Sequence, residues 1–347
     1  MPLSSSHRVA ILCHQGLSGP TGKTGLSLLR YGPYPVVAVI DQEWVGQSLA
    51  QVTGILREVP IVASVKAALN YQPEVLVIGI APSGGGLPDP WKAEIAEALE
   101  AGLSLVNGLH TPLRHDPLLQ AQVQQQQWIW DVRQEPENLQ IGQARAQSLA
   151  CRRVLTVGTD MSVGKMSTSL ELHRWCQHQG WRSKFLATGQ TGLMLLQEGI
   201  ALDAVRVDFA AGAVEAMVMQ AGSDQDVIFV EGQGSLLHPG STATLPLLRG
   251  TQPTHLVLVH RAGQTHIHHV PHISIPPLPQ VIHLYEQVAG AAGAFAEVKV
   301  VGIALNTRHL PEVRAREALD QAAQETGLPC TDPIRFDLGV LGAAIMT

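Results

Sequence analysis

Residues 153–168 read RVLTVGTDMSVGKMST, in which a short apolar strand leads through a glycine-containing loop into the start of a helix. This order of elements is the one in which a P-loop binds phosphate, because glycines let successive backbone N–H groups converge on an anion. The N-terminus of the helix adds a partial positive charge, and Lys165 adds a full one. The pattern predicts a phosphate-binding loop over residues 158–168 that contains Gly158, Thr159, Asp160, Ser162, Val163, Gly164, Lys165, Met166, Ser167 and Thr168.

Two features of this loop depart from the common P-loop pattern. Five residues separate Gly158 from Gly164, whereas the common form has about four. Met166 follows the lysine, where a metal-binding hydroxyl is usual, so Ser167 or Thr168 would have to supply that hydroxyl to Mg²⁺. A tight turn with a solvated lysine is the alternative interpretation. The lysine, both glycines and the flanking elements favour phosphate binding.

Short apolar runs alternate with helical patterns on both sides of the loop. In the N-terminal half the strand candidates are Arg8–Cys13, Val36–Asp41, Val75–Ile80 and Leu103–Val106, and Trp91–Ala101 has the apolar stripe of a helix. Beyond residue 150 the strand candidates are Arg153–Val157, Ser183–Ala187, Val227–Glu231, His255–His260 and Val298–Leu305. This alternation predicts an α/β protein with doubly wound, mostly parallel sheets.

Length and a change in composition predict two domains. The chain has 347 residues, which is long for a single core. Between residues 114 and 150 it becomes rich in Gln, Glu and Pro, and the run Gln124–Gln127 is typical of a solvated helix face. We predict domains at 1–145 and 146–347. Residues 261–283, rich in His and Pro, are expected to form a long loop with an extended piece.

Composition excludes several classes of partner. The net charge is −6 and Lys and Arg form no cluster, which argues against nucleic-acid binding. The N-terminus lacks a signal-peptide pattern, and no apolar run approaches the ~18 residues that a membrane span needs. The four cysteines form no CxxC motif, as expected for reduced thiols. We expect a cytoplasmic homo-oligomer that acts on a small molecule.

A second Gly-Lys-Thr sequence lies in the N-terminal half. Residues 16–24 read GLSGPTGKT and also follow a strand candidate. Pro20 removes one backbone donor from this loop. The segment is either a second anion site or a turn that orients the first helix, and the sequence leaves both open.

Acidic residues near the loop are candidates for binding a metal. Glu231 follows the apolar run 227–230, at the strand end where open α/β sheets bind ligands. A P-loop enzyme needs such a carboxylate near its metal, so we expect Ser167 and Glu231 as ligands, with Asp208 as a further candidate. Asp160, inside the loop, could hold a substrate ammonium or a metal-bound water, or it could merely shape the turn.

Polar residues at other strand ends are candidates for binding substrate. Gln190 and Thr191 follow the strand candidate 183–187, and Asn306 follows 298–305, where an asparagine can recognise a base edge or cap the next turn. Seven of the fifteen histidines lie in 255–283. Their spacing matches no standard zinc pattern, so His266 is expected to act as a base or to bind a carboxylate. The guanidinium of Arg261 would clamp a substrate carboxylate.

The C-terminal half resembles dethiobiotin synthetase and related P-loop proteins. The resemblance rests on three segments: Gly158-Thr159-Asp160 with Val163-Gly164-Lys165, Val230-Glu231-Gly232 with Gly234, and Gly302 with Asn306. It implies a P-loop NTPase-like fold, nucleotide and Mg²⁺ at Lys165 and Glu231, and base recognition near Asn306. Met166 departs from that pattern.

Almost the whole chain resembles a two-domain bacterial family of formerly unknown function that includes D-glutamate N-acetyltransferases. The matching segments are Gly22-Lys23-Thr24, Leu28-Leu29-Arg30-Tyr31, Val39-Ile40-Asp41, Gly79-Ile80-Ala81-Pro82 with Gly85-Gly86, Asp131-Val132-Arg133 and Gly164-Lys165-Met166-Ser167-Thr168. Met166 is a trait of that family. The N-terminal half, through Ile78-Gly79-Ile80-Ala81-Pro82, also resembles the Rossmann-like CoA-binding domain of succinyl-CoA synthetases.

Three functional hypotheses follow. In the first, acetyl-CoA donates an acetyl group to the amine of a small acidic amino acid, D-glutamate by resemblance, with Glu231 or His266 as the base. In the second, the protein is an ATP- and Mg²⁺-dependent ligase or kinase in which Lys165 stabilises phosphoryl transfer. In the third, it is a non-catalytic protein that changes shape when it binds a nucleotide.

Overall fold

The structure is a computed structural model that describes residues 3–82 and 85–347. The chain divides into two compact units. The first contains the residues up to 134 together with 193–197, and the second contains 135–192 and 198–347. Each unit holds one six-stranded sheet, and the second also holds a two-stranded sheet.

A parallel sheet with helices between its strands forms the first unit. Its elements are β1 (Val9–Leu12), α1 (Lys23–Tyr31), β2 (Val36–Ile40), α2 (Leu49–Thr53), β3 (Ile61–Val62), α3 (Val65–Ala68), β4 (Val75–Ile78), α4 (Asp89–Glu100), β5 (Ser104–Asn107), α5 (Pro117–Gln120) and β6 (Ile129–Asp131). The strand order is β3-β2-β1-β4-β5-β6, with every pair parallel. This is the Rossmann order, in which ligands bind at the carboxyl ends of the strands, where the order reverses beside β1.

The second unit is also built on a parallel sheet with helices between its strands, but the strand order differs. Its elements are β7 (Arg152–Gly158), α6 (Lys165–His178), β8 (Ser183–Leu186), the start of α7 (Gln190–Leu196), α8 (Val207–Gly222), β9 (Val227–Val230), α9 (Thr244–Thr251), β10 (His255–Arg261), β11 (His266–Ile267), β12 (Val270–Ser274), α10 (Leu278–Gly290), β13 (Lys299–Asn306), α11 (Glu312–Thr326), β14 (Cys330–Thr331) and α12 (Gly339–Met346). The part of α7 from residue 193 onward belongs to the first unit. The parallel sheet has the order β14-β13-β10-β7-β9-β8.

Apolar strands explain both sheets. All four residues of β1, β4 and β9 are buried, as expected for parallel strands covered on both faces by helices. In the second unit, one apolar cluster joins α8 and α10 to the sheet, and another joins α6 and α12 to it. The polar ends of these strands therefore emerge together at one edge of each sheet.

The unit boundary lies after residue 134, whereas the composition predicted a domain boundary after residue 145. Buried Glu215 of α8 accounts for the difference. Its carboxylate accepts backbone N–H bonds from Gln143 and Arg145, at 2.9 and 2.8 Å, and an Arg145 Nε–H bond at 2.6 Å. The segment before β7 is therefore held by the second unit.

One prediction about an irregular segment was wrong, and another was only partly right. The run Gln124–Gln127 lies in a turn and not on a helix face, and Gln126 has a φ of 82°. The amide of Gln127 donates to the carbonyls of Leu99 and Leu103, which closes the end of α4. Residues 261–283 are also more regular than expected, because they contain the antiparallel pair β11–β12 and the start of α10.

The helices of the described residues are too short or too polar to span a lipid bilayer.

Candidate functional site

The predicted phosphate loop connects β7, near the middle of the second sheet, to the N-terminus of α6. Ser162 and Gly164 have φ angles of 57° and 123°, so the chain turns sharply just before the helix. A φ of 123° is open to glycine and strained for other residues. The first N–H groups of α6 have no carbonyl partner within the helix, which makes this end suited to an anion.

Lys165 lies folded against the loop that it follows. Its side chain is 6% exposed, and Nζ donates to the backbone carbonyl of Asp160 at 2.7 Å. A Cβ on residue 158 would lie 3.0 Å from Nζ and 3.1 Å from Val163, which explains Gly158. The ammonium is therefore held at the loop, where the phosphates of a ligand would lie.

Glu231 is the carboxylate that the fold places beside this lysine. It follows β9, the strand next to β7, and is 4% exposed. Oε2 accepts backbone N–H bonds from Thr188 at 3.0 Å and Gly189 at 3.3 Å, and Oε1 accepts the Gln233 amide at 3.1 Å. Burial raises the pKa of Glu231 to about 7, against the two backbone bonds and the charge of Lys165, which lower it.

Close backbone packing positions Glu231. The N–H of Gly232 donates to Thr156 Oγ1 at 3.0 Å, and a Cβ on residue 232 would collide with the Thr156 carbonyl. A Cβ on residue 192 would lie 2.7 Å from Glu231 Oε2. Glycine at both positions lets the end of β9 approach the loop and the start of α7.

His260, at the end of β10, supports the loop from the opposite side. Its Nδ1 is 2.8 Å from Thr159 Oγ1, and its side chain is buried. Burial, followed by the charge of Arg261, lowers the pKa of His260 to about 4, so the ring is neutral at pH 7. Arg261 is half-buried and donates from Nη2 to the Ser162 carbonyl at 3.3 Å.

Asp160 anchors the segment after β10 to the loop. Its Oδ2 accepts the Gln264 amide at 2.6 Å and the backbone N–H of His268 at 2.7 Å, while Oδ1 accepts the N–H of Met161 at 2.6 Å. This carboxylate is 1% exposed. Of the roles considered for it, the structure therefore supports shaping the loop.

Asn306 and Tyr285 hold two further loop carbonyls. Asn306 Nδ2 donates to Val163 at 3.0 Å, and its Oδ1 accepts the N–H of Arg308 at 3.2 Å. The hydroxyl of Tyr285 donates to Gly158 at 2.7 Å and accepts the N–H of Leu236 at 3.1 Å. Asn306, expected to recognise a base, thus contacts the loop itself.

The remaining predicted residues lie in the first turn of a helix or on β11. Ser167 is half-buried in the first turn of α6, and Gln190 and Thr191 begin α7 directly after Gly189. His266 is exposed on β11, with Nδ1 3.0 Å from Thr265 Oγ1. Asp208 is exposed in the first turn of α8.

Metal binding was a further expectation at this site. Within residues 3–82 and 85–347, no group of three or more His, Cys, Asp or Glu side chains could hold a metal ion. Mg²⁺ commonly takes one or two protein oxygens and completes its shell with water and phosphates. A Mg²⁺ site at Ser167 and Glu231 therefore stays a prediction, in which water and phosphate would supply the other ligands.

Sequence reasoning missed the residues whose hydrogen bonds hold the loop and the end of β9 in place: Thr156, Thr188, His260, Gln264 and Tyr285. Two of them carried a usable signal. Thr156 is a hydroxyl inside an otherwise apolar strand, and His260 is an ionisable group at a strand end. Tyr285 lies 127 positions from its partner Gly158, in an ordinary amphipathic helix, and gave no such signal.

Comparison with known proteins agrees with this architecture. Residues 42–135 match the model of a Rossmann-like domain, DUF1611_N, and residues 140–342 match that of a P-loop domain, DUF1611_C, both described as domains of unknown function. A crystal structure of a DUF1611 family protein from Anabaena variabilis is 65% identical in sequence. It superposes with a TM-score of 0.96 over 99% of both chains.

Two curated relatives are each named D-glutamate N-acetyltransferase. The protein from Tritonibacter scottomollicae is 38% identical over 274 residues, and that from a Pseudoalteromonas species is 37% identical over 275. Each match covers 78% of this chain and 81% of the relative. The predicted family and the predicted fold class of two mostly parallel α/β domains are confirmed. The chain belongs to the DUF1611 family, which joins a Rossmann-like N-terminal domain to a C-terminal P-loop domain.

Proposed function

We propose that this protein is an N-acetyltransferase that moves the acetyl group of acetyl-CoA to the amine of D-glutamate. The names of the two relatives support the class of reaction and the acceptor. The observation that carries the proposal is the pair formed by Glu231 and Lys165, in which a buried carboxylate with a pKa of about 7 lies beside a phosphate-loop lysine. Such a pair provides a base next to an anchor for a phosphorylated donor.

The loop binds the phosphates of the donor. The first N–H groups of α6 and the Lys165 ammonium attract a polyanion, and CoA carries several phosphate charges. The hydrogen bond from Nζ to the Asp160 carbonyl keeps the ammonium at the loop before the ligand arrives. Because Lys165 is already ordered, little side-chain entropy is lost on binding.

Glu231 acts as the general base. The acceptor enters as an ammonium ion and must lose a proton before its nitrogen can attack. As Glu231 takes that proton, an N–C bond forms at the thioester carbonyl. The C–S bond then breaks, and the CoA thiolate leaves with the second proton, which the attacking nitrogen gives up as it becomes an amide. The neighbouring Lys165 and the N–H groups of Thr188 and Gly189 stabilise the ionised form of this carboxylate at neutral pH.

The acceptor is held by its carboxylates. Arg261 is half-buried beside the loop and offers the paired donors that bind a carboxylate in two contacts. Gln190 and Thr191 directly follow Gly189, whose N–H donates to Glu231. Their polar side chains would contact the acceptor near this base. His266 lies exposed on β11 and is assigned an auxiliary contact to the acceptor rather than the proton transfer.

A product assay tests the proposal. Purified protein is incubated with acetyl-CoA and D-glutamate, L-glutamate or D-aspartate, and free thiol is measured over time without ATP or added metal. We expect thiol release with D-glutamate at a rate well above that with the other amino acids, and N-acetyl-D-glutamate by mass spectrometry. No thiol release with D-glutamate, or binding of acetyl-CoA without turnover, would contradict the proposal.

A second candidate is an ATP-dependent ligase or kinase. The Ser167 hydroxyl in the first turn of α6 and the Glu231 carboxylate favour it, because they fit Mg²⁺ together with a polyphosphate. In that reaction no thiol is released and turnover requires ATP. The same assay with ATP and Mg²⁺ in place of acetyl-CoA separates the two functions.

A further inference from the structure

Two arginines approach the phosphate loop of residues 158–168 from the ends of neighbouring strands. Arg261 is the last residue of β10 and pairs in the parallel register with Asn306, the last residue of β13. Arg308 follows Asn306 by two positions. Because neighbouring strands lie about 4.8 Å apart, the two arginines start from adjacent points on the carboxyl edge of the second sheet. The proposed acetyl transfer assigns a role to Arg261 and none to Arg308.

Both arginines are tied to consecutive residues of the phosphate loop. Nη2 of Arg261 donates to the Ser162 carbonyl at 3.3 Å. Arg308 is tied through Asn306, whose Nδ2 donates to the Val163 carbonyl at 3.0 Å and whose Oδ1 accepts the Arg308 N–H at 3.2 Å. The backbone of Arg308 therefore lies one asparagine side chain away from the loop.

Hydrogen bonds hold the turn that carries Arg308 from two sides. The N–H and Oγ1 of Thr307 donate to Oδ2 of Asp332 at 2.8 and 2.6 Å. Nη1 of Arg335 donates to the carbonyls of Thr307 and Leu310 at 2.8 and 2.9 Å. Thr307 is fully buried, whereas Arg308 is exposed. The start of the Arg308 side chain is thus fixed, while the side chain itself is open to a ligand.

The acidic groups that follow β13 are engaged by other partners. Asp332 is buried and accepts hydrogen bonds from N–H and O–H groups of neighbouring residues. Glu312, at the start of α11, pairs with Nη2 of Arg316 at 2.7 Å. Within the part of the chain that the structure describes, Arg261 and Arg308 form no ion pair with an acid. Both guanidinium groups can therefore bind anionic groups of a ligand.

The order of the charged groups along the sheet matches the order of the groups along an amino acid with an acidic side chain. The strand order β9-β7-β10-β13 places Glu231 first, the phosphate loop next, Arg261 after it and Arg308 last. In the proposed reaction Glu231 faces the amine, and Arg261 binds the carboxylate next to that amine. A second carboxylate, on the side chain of the acceptor, would extend further in the same direction, towards Arg308. The fork of a guanidinium fits a planar carboxylate with two parallel N–H bonds.

We propose that Arg308 binds the side-chain carboxylate of the acceptor and thereby restricts the acceptors to amino acids with an acidic side chain. The inference rests on the proposed acetyl transfer to D-glutamate, in which it assigns one carboxylate to each arginine. Arg308 determines specificity because it contacts the substrate away from the reacting atoms, and it takes no proton. A neutral side chain of the same shape, such as that of D-glutamine, provides no charge for this guanidinium and is bound more weakly.

Activity with two acceptors of equal shape tests this assignment. The ratio kcat/KM is measured on the full-length chain for D-glutamate and D-glutamine at saturating acetyl-CoA. We expect the wild type to prefer D-glutamate by about tenfold or more, since one charge-assisted contact at an exposed arginine lies at the lower end of such effects. Arg308→Gln should lower kcat/KM for D-glutamate by about tenfold through KM, with a much smaller effect on D-glutamine. Arg308→Lys should restore part of the preference.

Control variants separate this contact from a loss of structure or of donor binding. Arg314→Gln removes an exposed arginine of α11 that pairs with Glu317, and it should leave kcat/KM for both acceptors unchanged. Arg261→Gln removes the contact to the carboxylate that both acceptors share, so it should weaken both alike. If Arg308→Gln keeps the preference for D-glutamate, or raises only the KM for acetyl-CoA, the inference is overturned and the proposed function stands.

Calorimetry with D-glutamate separates failure of this inference from failure of the proposed function. Binding is measured in the presence of CoA, where no turnover occurs, on the wild type, Arg308→Gln and Arg314→Gln. A protein that binds D-glutamate through Arg308 but releases no thiol from acetyl-CoA would contradict the acetyl transfer alone. A wild type that binds D-glutamate no better than D-glutamine would overturn the role of Arg308, whatever the reaction.

Discussion

The two units of this protein each place a Gly-Lys loop after a central strand, yet the charges that act on the two lysines differ. Lys165 is 6% exposed, bonds the Asp160 carbonyl and has Glu231 as its charged neighbour. For Lys23, burial followed by the charge of Arg133 lowers the pKa. The same short motif therefore leads to a cation beside a carboxylate in one unit and to a cation beside a cation in the other.

This difference shows why a glycine-lysine motif does not define a function by itself. A carboxylate with a raised pKa beside an anion-binding group can move a proton. Glu231 follows β9, the strand next to β7, whereas Arg133 follows β6, which is three positions from β1 in the first sheet. The two loops are thus expected to respond differently to substitution.

The largest expected effect comes from Glu231→Gln, which keeps the shape of the side chain and removes the base. Because general-base catalysis contributes roughly 10²- to 10⁴-fold to a rate, kcat should fall by about that factor while the KM for acetyl-CoA changes little. Thiol-release kinetics measure both. Glu297→Gln, an exposed glutamate of the same unit, serves as the matched control and should retain full activity. A Glu231→Gln enzyme with kcat near that of the wild type would remove this carboxylate from the mechanism.

The next effect comes from Lys165→Ala, which removes the buried ammonium from the loop. One lost charge-assisted contact should weaken acetyl-CoA binding by roughly 10- to 100-fold. Calorimetry measures the affinity, and circular dichroism shows whether the fold is retained. Lys184→Ala is the control, since this half-buried lysine of β8 pairs with Glu198 and not with the loop. Unchanged affinity for acetyl-CoA in the Lys165→Ala protein would place the donor elsewhere.

The pKa of Glu231 makes a prediction about pH. The carboxylate must be ionised to accept a proton, so kcat/KM, which reports the free enzyme, should fall as the pH drops through about 7. At one pH unit below that value only about a tenth of the base is ionised, and the rate should be near a tenth of its plateau. The contribution of Glu231 to the free energy of unfolding changes with pH in the opposite direction. Since the folded pKa is raised above 4.5, the contribution of Glu231 is present below that pH and lost as the pH rises through about 7.

The Glu231→Gln variant tests the assignment of both pH profiles. It cannot titrate at this position, so the part of the stability profile between pH 4.5 and 7 that belongs to Glu231 should flatten. Urea unfolding at several pH values measures it. If the wild-type and Gln proteins have identical stability profiles, the group with the raised pKa is a different one.

Most of the fold could be predicted from the sequence, because the strands are short, apolar and bounded by turn residues. The predicted Arg8–Cys13 contains β1 at Val9–Leu12, and Ser183–Ala187 contains β8 at Ser183–Leu186. Elements without an apolar period were missed. In β12 most side chains are exposed, so the sequence of residues 270–274 lacks the apolar pattern that would predict a strand.

The candidate site was only partly predictable. Glu231 could be found because an apolar run ends there at a known edge of the sheet. Its raised pKa could not, since that depends on burial beneath residues 188–192, about forty positions away. The contact of Asn306 with Val163 was equally invisible, because a strand-end asparagine has the same sequence pattern whether it contacts a base or the loop.

A smaller effect is expected for Tyr285→Phe, which tests how rigidly the phosphate loop of residues 158–168 is held. Tyr285 is fully buried, and its hydroxyl serves both the Gly158 carbonyl and the Leu236 N–H. Removing it leaves a buried carbonyl and a half-buried N–H without this partner, so the free energy of unfolding should fall by about 1–3 kcal/mol. Urea titration measures the change, and Tyr71→Phe, at a partly exposed tyrosine, is the control. Equal stability of the two variants would mean that the hydroxyl does not brace the loop.

The smallest effect is expected for Gln264→Leu, which removes one of three bonds to Asp160. The carboxylate keeps the N–H groups of His268 and Met161, so the loop should remain folded while the segment after β10 loosens. Because the segment after β10 lies next to Arg261, its loosening should weaken acceptor binding. Loss of one hydrogen bond to a charged group in a half-buried position should raise the KM for the acceptor by a few-fold, with kcat little changed. Gln280→Leu, at an exposed glutamine of α10, is the matched control. Since Arg261 is assigned to the acceptor and Lys165 to the donor, the KM for acetyl-CoA should stay constant. A change in that KM instead would mean that the Asp160 bonds serve the phosphate loop rather than the acceptor side.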